Sequence, residues 1–369
     1  MRPGSAGRIN AVQKGPAMSH VFTHPWLAGL FADPETAALW SPEAQLEGMR
    51  RFEAAWSRAL GRAGRVEAET AEAAARAIEA MSFDLADLRD GTGQDGVVVP
   101  RLVAQMKADA GAAKAAVHSG ATSQDVIDTS LALSMAASLD LFEARLTALN
   151  DSLLRLSAEF GENPLMGRTR MQAATEITVA DRIAPWQQPL EAHLQRLREM
   201  RPRVARVQIG GASGDRRAIS ADADVITACV AEALGLENPP RAWHAMRDGV
   251  AEFAGLCALI SGTLGKMGQD IALMAQQGIG EIALSGGGSS SAMPHKQNPV
   301  LAELLVTLAR FNAGNLGQIH QAMVHEQERS GAAWALEWMV LPGMAETSGR
   351  ALTVAQALCG QIRQIGTPA

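Results

Sequence analysis

The sequence predicts an all-α protein: an elongated helical bundle, preceded by a small helical domain and followed by a truncated C-terminal domain. Three observations carry this expectation. Apolar residues recur at three- and four-residue steps over unusually long runs. Cap-plus-proline signatures, Asp33-Pro34-Glu35 and Ser41-Pro42-Glu43, mark helix starts. Between the long runs no stretch alternates with period two, which argues for rods packed side by side rather than a sheet.

Taken in order, residues 1–17 hold Arg2, Arg8 and Lys14, no acid and no apolar segment. They read as a disordered basic extension, not a secretory signal. Residues 18–113 form the expected N-terminal helical domain. Within it, Ser41 to Gly61 sets Leu46, Met49, Phe52, Trp56 and Leu60 on one helical face. Glu67–Ala80 is a second helix, Asp90–Gly96 a loop, and Val97–Ala110 a helix interrupted at Pro100.

Residues 114–345 are the expected central bundle. A helix opens at Thr122-Ser123 and runs to about Phe160, with a seam from Leu131 through Met135, Leu139 and Phe142 to Leu156. A helix-forming stretch then follows Met166–Ala174 and reaches Met200. Gly210–Gly214 is a turn, 222–234 a helix, and 238–240 a break. The periodic run from Ala245 to about Gln277 makes a rod of roughly 50 Å at 1.5 Å per residue. Asn298–Met323 is the next rod, with Asn298 as its cap and Pro299 in its first turn. Residues 346–369 are left as a short C-terminal remnant.

Composition bounds the function. The 369 residues carry a net charge of −6, so there is no global attraction to nucleic acid or an anionic membrane. No stretch approaches the ~20 uninterrupted apolar residues of a membrane span. Cys229, Cys257 and Cys359 are odd in number and widely spaced, as in a reduced, cytoplasmic protein. The histidines show no HExxH spacing, so no metal is expected.

Three polar stretches carry chemistry, each expected to open a long helix. In Gly286–Glu303, a Gly/Ser loop leads to Met293-Pro294-His295-Lys296 and then Asn298. Hydroxyls, an ammonium and an amide beside a helix N-terminus suit carboxylate binding and proton handling. A plain Gly/Ser linker with a capped helix is the other reading. In His118–Asp125, Thr122 and Ser123 serve either as caps or as hydroxyl donors. In Met166–Ala174, Arg168 and Arg170 stand with Thr169 and Gln172, as local cations or as a solvated face.

Together, HSGATSQD, MGRTRMQAA and SSAMPHKQNP, in that order, resemble the fumarase/aspartase superfamily from about Phe22 to Leu352. The resemblance implies a homotetramer whose active sites each collect the three motifs from three subunits. It implies addition or elimination next to a carboxylate of a small polycarboxylate substrate, without metal or organic cofactor. By motif match Ser290 becomes the proton-transfer residue, while Lys296 and Asn298 hold a carboxylate and Ser291 and Met293 support them. Thr122, Ser123, Arg168, Thr169, Arg170 and Gln172 line the substrate. Glu303 is either part of that network or a surface acid, and His118 either a second acid or a structural hydrogen-bonder. The segments His24–Phe31, His118–Thr129, Pro294–Val300 and Glu326–Trp338, the last contributing Arg329 to substrate binding, look like the branch that closes 3-carboxymuconates into lactones in protocatechuate breakdown. The alternatives are elimination of the adenylosuccinate lyase type and a catalytically silent structural relative. Most of the superfamily has His where this chain has Arg170. A guanidinium cannot shuttle protons at ordinary pH, so the departure weakens the adenylosuccinate reading more than the lactonising one.

Overall fold

The structure is a computed structural model and describes residues 20–289, 293 and 297–367. The chain divides into two compact units, residues 1–32 and 33–369. The first contains the short helix α1 (Ala28–Phe31); everything below concerns the second.

Helices α2 (Pro34–Leu39) and α3 (Pro42–Arg62) begin as their sequences dictate. Asp33 Oδ1 accepts from the Thr36 N–H and Ser41 Oγ from the Ala44 N–H, with proline at the first helical position of each. Next come α4 (Ala68–Ala80), α5 (Leu85–Asp95) and α6 (Val99–Ala110). The expected loop at Asp90–Gly96 is instead the end of α5. Gly91 serves packing rather than turning: a Cβ there would lie 2.0 Å from Cγ of Arg101 on α6. Gly96, at φ +74°, then ends the helix. Pro100 does not interrupt α6, because it sits in the first turn, where no N–H is needed.

The bundle is made by α7 (Ser123–Phe160), α8 (Val179–Val204), α10 (Asp248–Met274), α11 (Val300–Ala322) and α12 (Ala332–Gln361), with α9 (Ala223–Leu234) packed on α3. At 1.5 Å per residue the 38 residues of α7 span roughly 57 Å. Helix α10 is apolar and long enough to cross a membrane by composition, yet Val250, Phe253, Cys257, Ile260, Leu264 and Ile271 are buried inside the protein. It lies so close to α11 that a Cβ on Gly268 would be 2.5 Å from the Ala302 carbonyl oxygen. Asn312 on α11 locks three helices together: its Nδ2 lies within 3.3 Å of the Cys257 and Met344 carbonyls and the Ser261 and Ser348 hydroxyls.

Three differences from the sequence reading bear on the site. Met166–Ala174 does not lead straight into a helix. It is a hairpin of β1 (Pro164–Thr169) and β2 (Gln172–Thr178), turning at Arg170 (φ 49°) and Met171 (φ 67°). Two successive positive φ angles match the twist of paired strands, and α8 starts only after Thr178 caps it. Asn298 does not cap α11. It lies in β5 (Gln297–Asn298), paired with β4 (Gly288–Ser289), and Pro299 occupies the cap position. Finally, α12 runs unbroken through Pro342 and past residue 345, the expected domain edge, and leads into β6 (Ile362–Ile365), which pairs with β3 (Ile282–Leu284).

Candidate active site

The candidate residues fall at two ends of the bundle, and the connectivity fixes which motif lies at which. At the near end the second turns of α7 and α12 meet the N-cap of α10. Arg247, with a fully buried side chain, donates from Nη1 to Asp128 Oδ2 at 2.7 Å and from Nε to Glu337 Oε1 at 2.8 Å. The third guanidinium nitrogen, Nη2, reaches Asp128 Oδ1 at 3.1 Å and also binds Glu337 Oε2. Asp128 further accepts from Trp334 Nε1 (3.0 Å), Gln124 Nε2 (3.1 Å) and Gln208 Nε2 (3.2 Å). The Trp243 ring lies 4.9 Å beneath the guanidinium. Burial works against the charge on Arg247, but the two carboxylates overcome it and raise its pKa. Burial raises the Glu337 pKa despite Arg247.

One turn earlier, Asp125 gathers the loop that precedes α7 and the Gly210–Gly214 turn. Its carboxylate accepts from the N–H groups of Gly210 (2.8 Å), Gly211 (3.0 Å) and Thr122 (3.0 Å), and lies 2.9 Å from His244 Nε2. The first motif is thereby held rigidly. The Thr122 hydroxyl accepts from Arg329 Nη2 at 3.1 Å, and the same nitrogen donates to the Ala212 carbonyl. Thr122, Ser123, Arg329 and His118 are therefore gathered at one helix N-terminus, a cationic and hydroxyl-bearing setting for a carboxylate.

The far end holds the other described candidates. Asn163 Nδ2 donates to the Ile365 carbonyl, and the Gly366 N–H to the Glu281 carbonyl, so α7, α10 and α12 all finish there. Arg168 on β1 is paired with Glu281 at 2.6 Å, which makes it a tie between hairpin and bundle. Thr169, Arg170 and Gln172 are exposed at the hairpin tip, and among the described residues Arg170 makes no ion pair. Asn298 in β5 is half-buried, Met293 lies between β4 and β5, and Glu303 is exposed on the first turn of α11. Ser290, Ser291 and Lys296 lie outside the described residues.

Within one chain, then, the first motif sits at one end of the 38-residue α7, and the second follows its other end. The described strands that flank the third are also at the far end, since Gly288 and Asn298 pair beyond the end of α10. An apolar cavity of about 270 Å³ lies between α3, α7 and α12, lined by Trp40, Met49, Ile127, Leu131 and Trp338. It contains none of the motif residues. Glu337 of the buried cluster reaches its wall, but the hydroxyl and cationic groups of the first motif converge elsewhere, on the α7 N-terminus.

A family profile described as Lyase matches residues 32–312. The chain belongs to this lyase family. Among curated relatives of the lyase family, the 3-carboxy-cis,cis-muconate cycloisomerase of Pseudomonas aeruginosa is 39% identical over 332 residues, covering 88% of this chain and 72% of that protein. The enzyme of the same name from Pseudomonas putida is 37% identical, covering 89% and 79%. The crystal structure of the 3-carboxy-cis,cis-muconate lactonizing enzyme from Pseudomonas putida matches with a TM-score of 0.87 at 36% identity, over 92% of this chain and 77% of that one. The all-α architecture and the superfamily read from the three motifs are both upheld. Sequence reasoning passed over Asp125, Asp128, His244, Arg247 and Glu337. The signal within reach was the pair of acids in Gln124-Asp125-Val126-Ile127-Asp128, three apart on one buried helix face.

Proposed function

We propose that this protein catalyses the cofactor-independent cycloisomerisation of 3-carboxy-cis,cis-muconate to a carboxymuconolactone, a step of protocatechuate catabolism, in the cytoplasm. One substrate carboxylate adds to an alkene carbon, and a proton reaches the neighbouring carbon through an enolate-like form of the acceptor carboxyl. Ser290 is the proton donor in this direction, with Lys296 stabilising its alkoxide. Thr122, Ser123, Thr169, Arg329 and Asn298 aim donors at the developing charge, where a single preorganised donor contributes about 3–4 kcal/mol. Arg170 clamps a carboxylate and Gln172 stands beside it.

The observation that carries this reading is Arg170 at the exposed hairpin tip. A guanidinium there binds an anion but cannot deliver a proton to a departing amine or alcohol. A lactonisation needs no such delivery, because its nucleophile is already a carboxylate. The similarity to the two Pseudomonas cycloisomerases supports the same choice.

The roughly 57 Å between the motifs supports sites assembled from several subunits of a homotetramer. One experiment tests both halves. The absorbance of the conjugated diene of 3-carboxymuconate is followed beside adenylosuccinate cleavage, with light scattering on the active fraction. Loss of diene absorbance by a tetramer is expected. Cleavage of adenylosuccinate alone would overturn the substrate, and an active monomer would overturn the shared site.

A further inference from the structure

Glu53 lies in the middle of α3, outside all three motifs, and its side chain is fully buried. Its chain neighbours Phe52, Ala54, Ala55 and Trp56 are buried as well, and a carboxylate so far from water is costly without a partner. The partner is in the first motif: Glu53 Oε1 is 2.5 Å from His118 Nδ1, while Oε2 has no hydrogen-bond partner among the described residues. His118 meets it from a left-handed backbone at φ 58°, an uncommon conformation for a side chain of this size.

The same helix holds the same segment in two other places. Trp56 Nε1 donates to the Ser119 carbonyl at 3.1 Å, and Ser57 Oγ to the Ala116 carbonyl at 3.0 Å. Residues 116–119 are thus anchored to α3 on both sides of His118 without Glu53. What Glu53 adds acts on the imidazole ring.

We propose that Glu53 is a positioning residue for His118: its carboxylate accepts the hydrogen bond from Nδ1–H and so holds the ring doubly protonated, with Nε2–H as the group the ring offers to an anionic substrate. The proposal rests on the reading that the first motif lines the substrate site. The ring keeps an outlet, with 16% of the His118 side chain exposed, and lies four residues before the Thr122 hydroxyl. The charged surroundings agree in sign. Burial lowers the His118 pKa and Lys107 on α6 works in the same direction, but Glu53 on α3 and Asp125 on α7 outweigh them and raise it. A neutral imidazole could hydrogen-bond Glu53 equally from Nδ1, but its Nε2 would then be an acceptor and would repel a carboxylate.

The test is Glu53→Gln, which keeps the shape and removes the charge. His118 is titrated by NMR of its ring, assigned by comparison with His118→Asn, and kcat/KM for 3-carboxymuconate is measured across pH. The expected result is a His118 titration at least about one pH unit lower, a tenfold change in proton affinity. The alkaline limb of kcat/KM should move with it, and activity should recover toward wild type at low pH. Trp56→Phe, which removes the neighbouring anchor but no charge, should leave that limb in place. Glu53→Asp, with the charge kept and the reach shortened, should fall between, and it serves as the variant if Glu53→Gln does not fold. An unchanged His118 titration, or an equal loss of activity at every pH, would overturn the proposal. Absence of muconate turnover in the wild type would instead overturn the substrate reading, and the NMR titration would still decide the role of Glu53.

Discussion

Replacing Arg247 with leucine removes the cation from a site where it touches two carboxylates. The side chains of Arg247 and Asp128 are fully buried and that of Glu337 is 2% exposed, so solvent cannot screen what remains. Breaking a buried pair by deleting one partner costs about 3–5 kcal/mol, because the other charge is left uncompensated. Trp334, Gln124 and Gln208 still donate to Asp128, but Glu337 loses the partner that bound both its oxygens. At about 2 °C per kcal/mol for a large domain, Tm should fall by about 6–10 °C at neutral pH. The pH dependence has a definite sign. Burial already raises the Glu337 pKa against the pull of Arg247. Without Arg247 it rises further, and a carboxyl with a raised folded-state pKa favours the folded state once protonated. The deficit should therefore shrink as pH falls from neutral toward the acid range. Differential scanning calorimetry of wild type and Arg247→Leu at both ends of that range reads it. A loss below about 2 °C, or a deficit that does not change with pH, would refute the reasoning.

Three further outcomes are expected. Ser290→Ala should lower kcat by roughly 10²- to 10⁴-fold with an unchanged far-ultraviolet circular dichroism spectrum; equal loss from Ser289→Ala with Ser290→Ala active would shift the proton donor by one residue. Arg170→Lys should raise KM for the tricarboxylate, because the charge survives but the two-pronged geometry does not, and Arg170→Ala should raise it more. Wild-type kinetics in both would make Arg170 a surface residue. Gly268→Ala should destabilise by about 1–3 kcal/mol, since its Cβ would meet the Ala302 carbonyl and Leu305 at 2.5 and 2.8 Å. Gly255→Ala on the same helix, with nothing within 4 Å, should instead be neutral or stabilising in the same urea titration.

How legible each feature is in the sequence follows from how local its cause is. The long helices are written in apolar spacing that any window of the chain reveals, and α3, α4, α7 and α9 fall within a residue or two of expectation. The hairpin at Arg170 is hidden because its turn uses an arginine and a methionine at positive φ, where glycine or asparagine would have announced it. Gly91 of α5 misleads in the opposite direction, since it answers to Arg101 on the next helix and not to its own backbone. Asn298-Pro299 looks like a helix start until Gly288, ten residues earlier, pairs with Asn298. The near-end cluster is least legible of all: Arg247 is 119 residues from Asp128 and 90 from Glu337, and each alone looks like an ordinary surface charge.

The buried cluster also gives the protein a built-in optical reporter. The chain has seven tryptophans and no tyrosine, so with excitation at the long-wavelength edge, where phenylalanine does not absorb, its emission belongs to indole. Trp243 stacks under Arg247, Trp334 hydrogen-bonds to Asp128, and Trp56 is bonded to the segment that carries His118. These three indoles are all at the end of the bundle where the first motif is held, and all three are nearly inaccessible to water. Trp186, bonded to Asp270 on α10, sits further along the bundle. Emission from single-tryptophan variants would therefore distinguish loosening of the α7 N-terminus from melting of the bundle as a whole, with no dye or label attached.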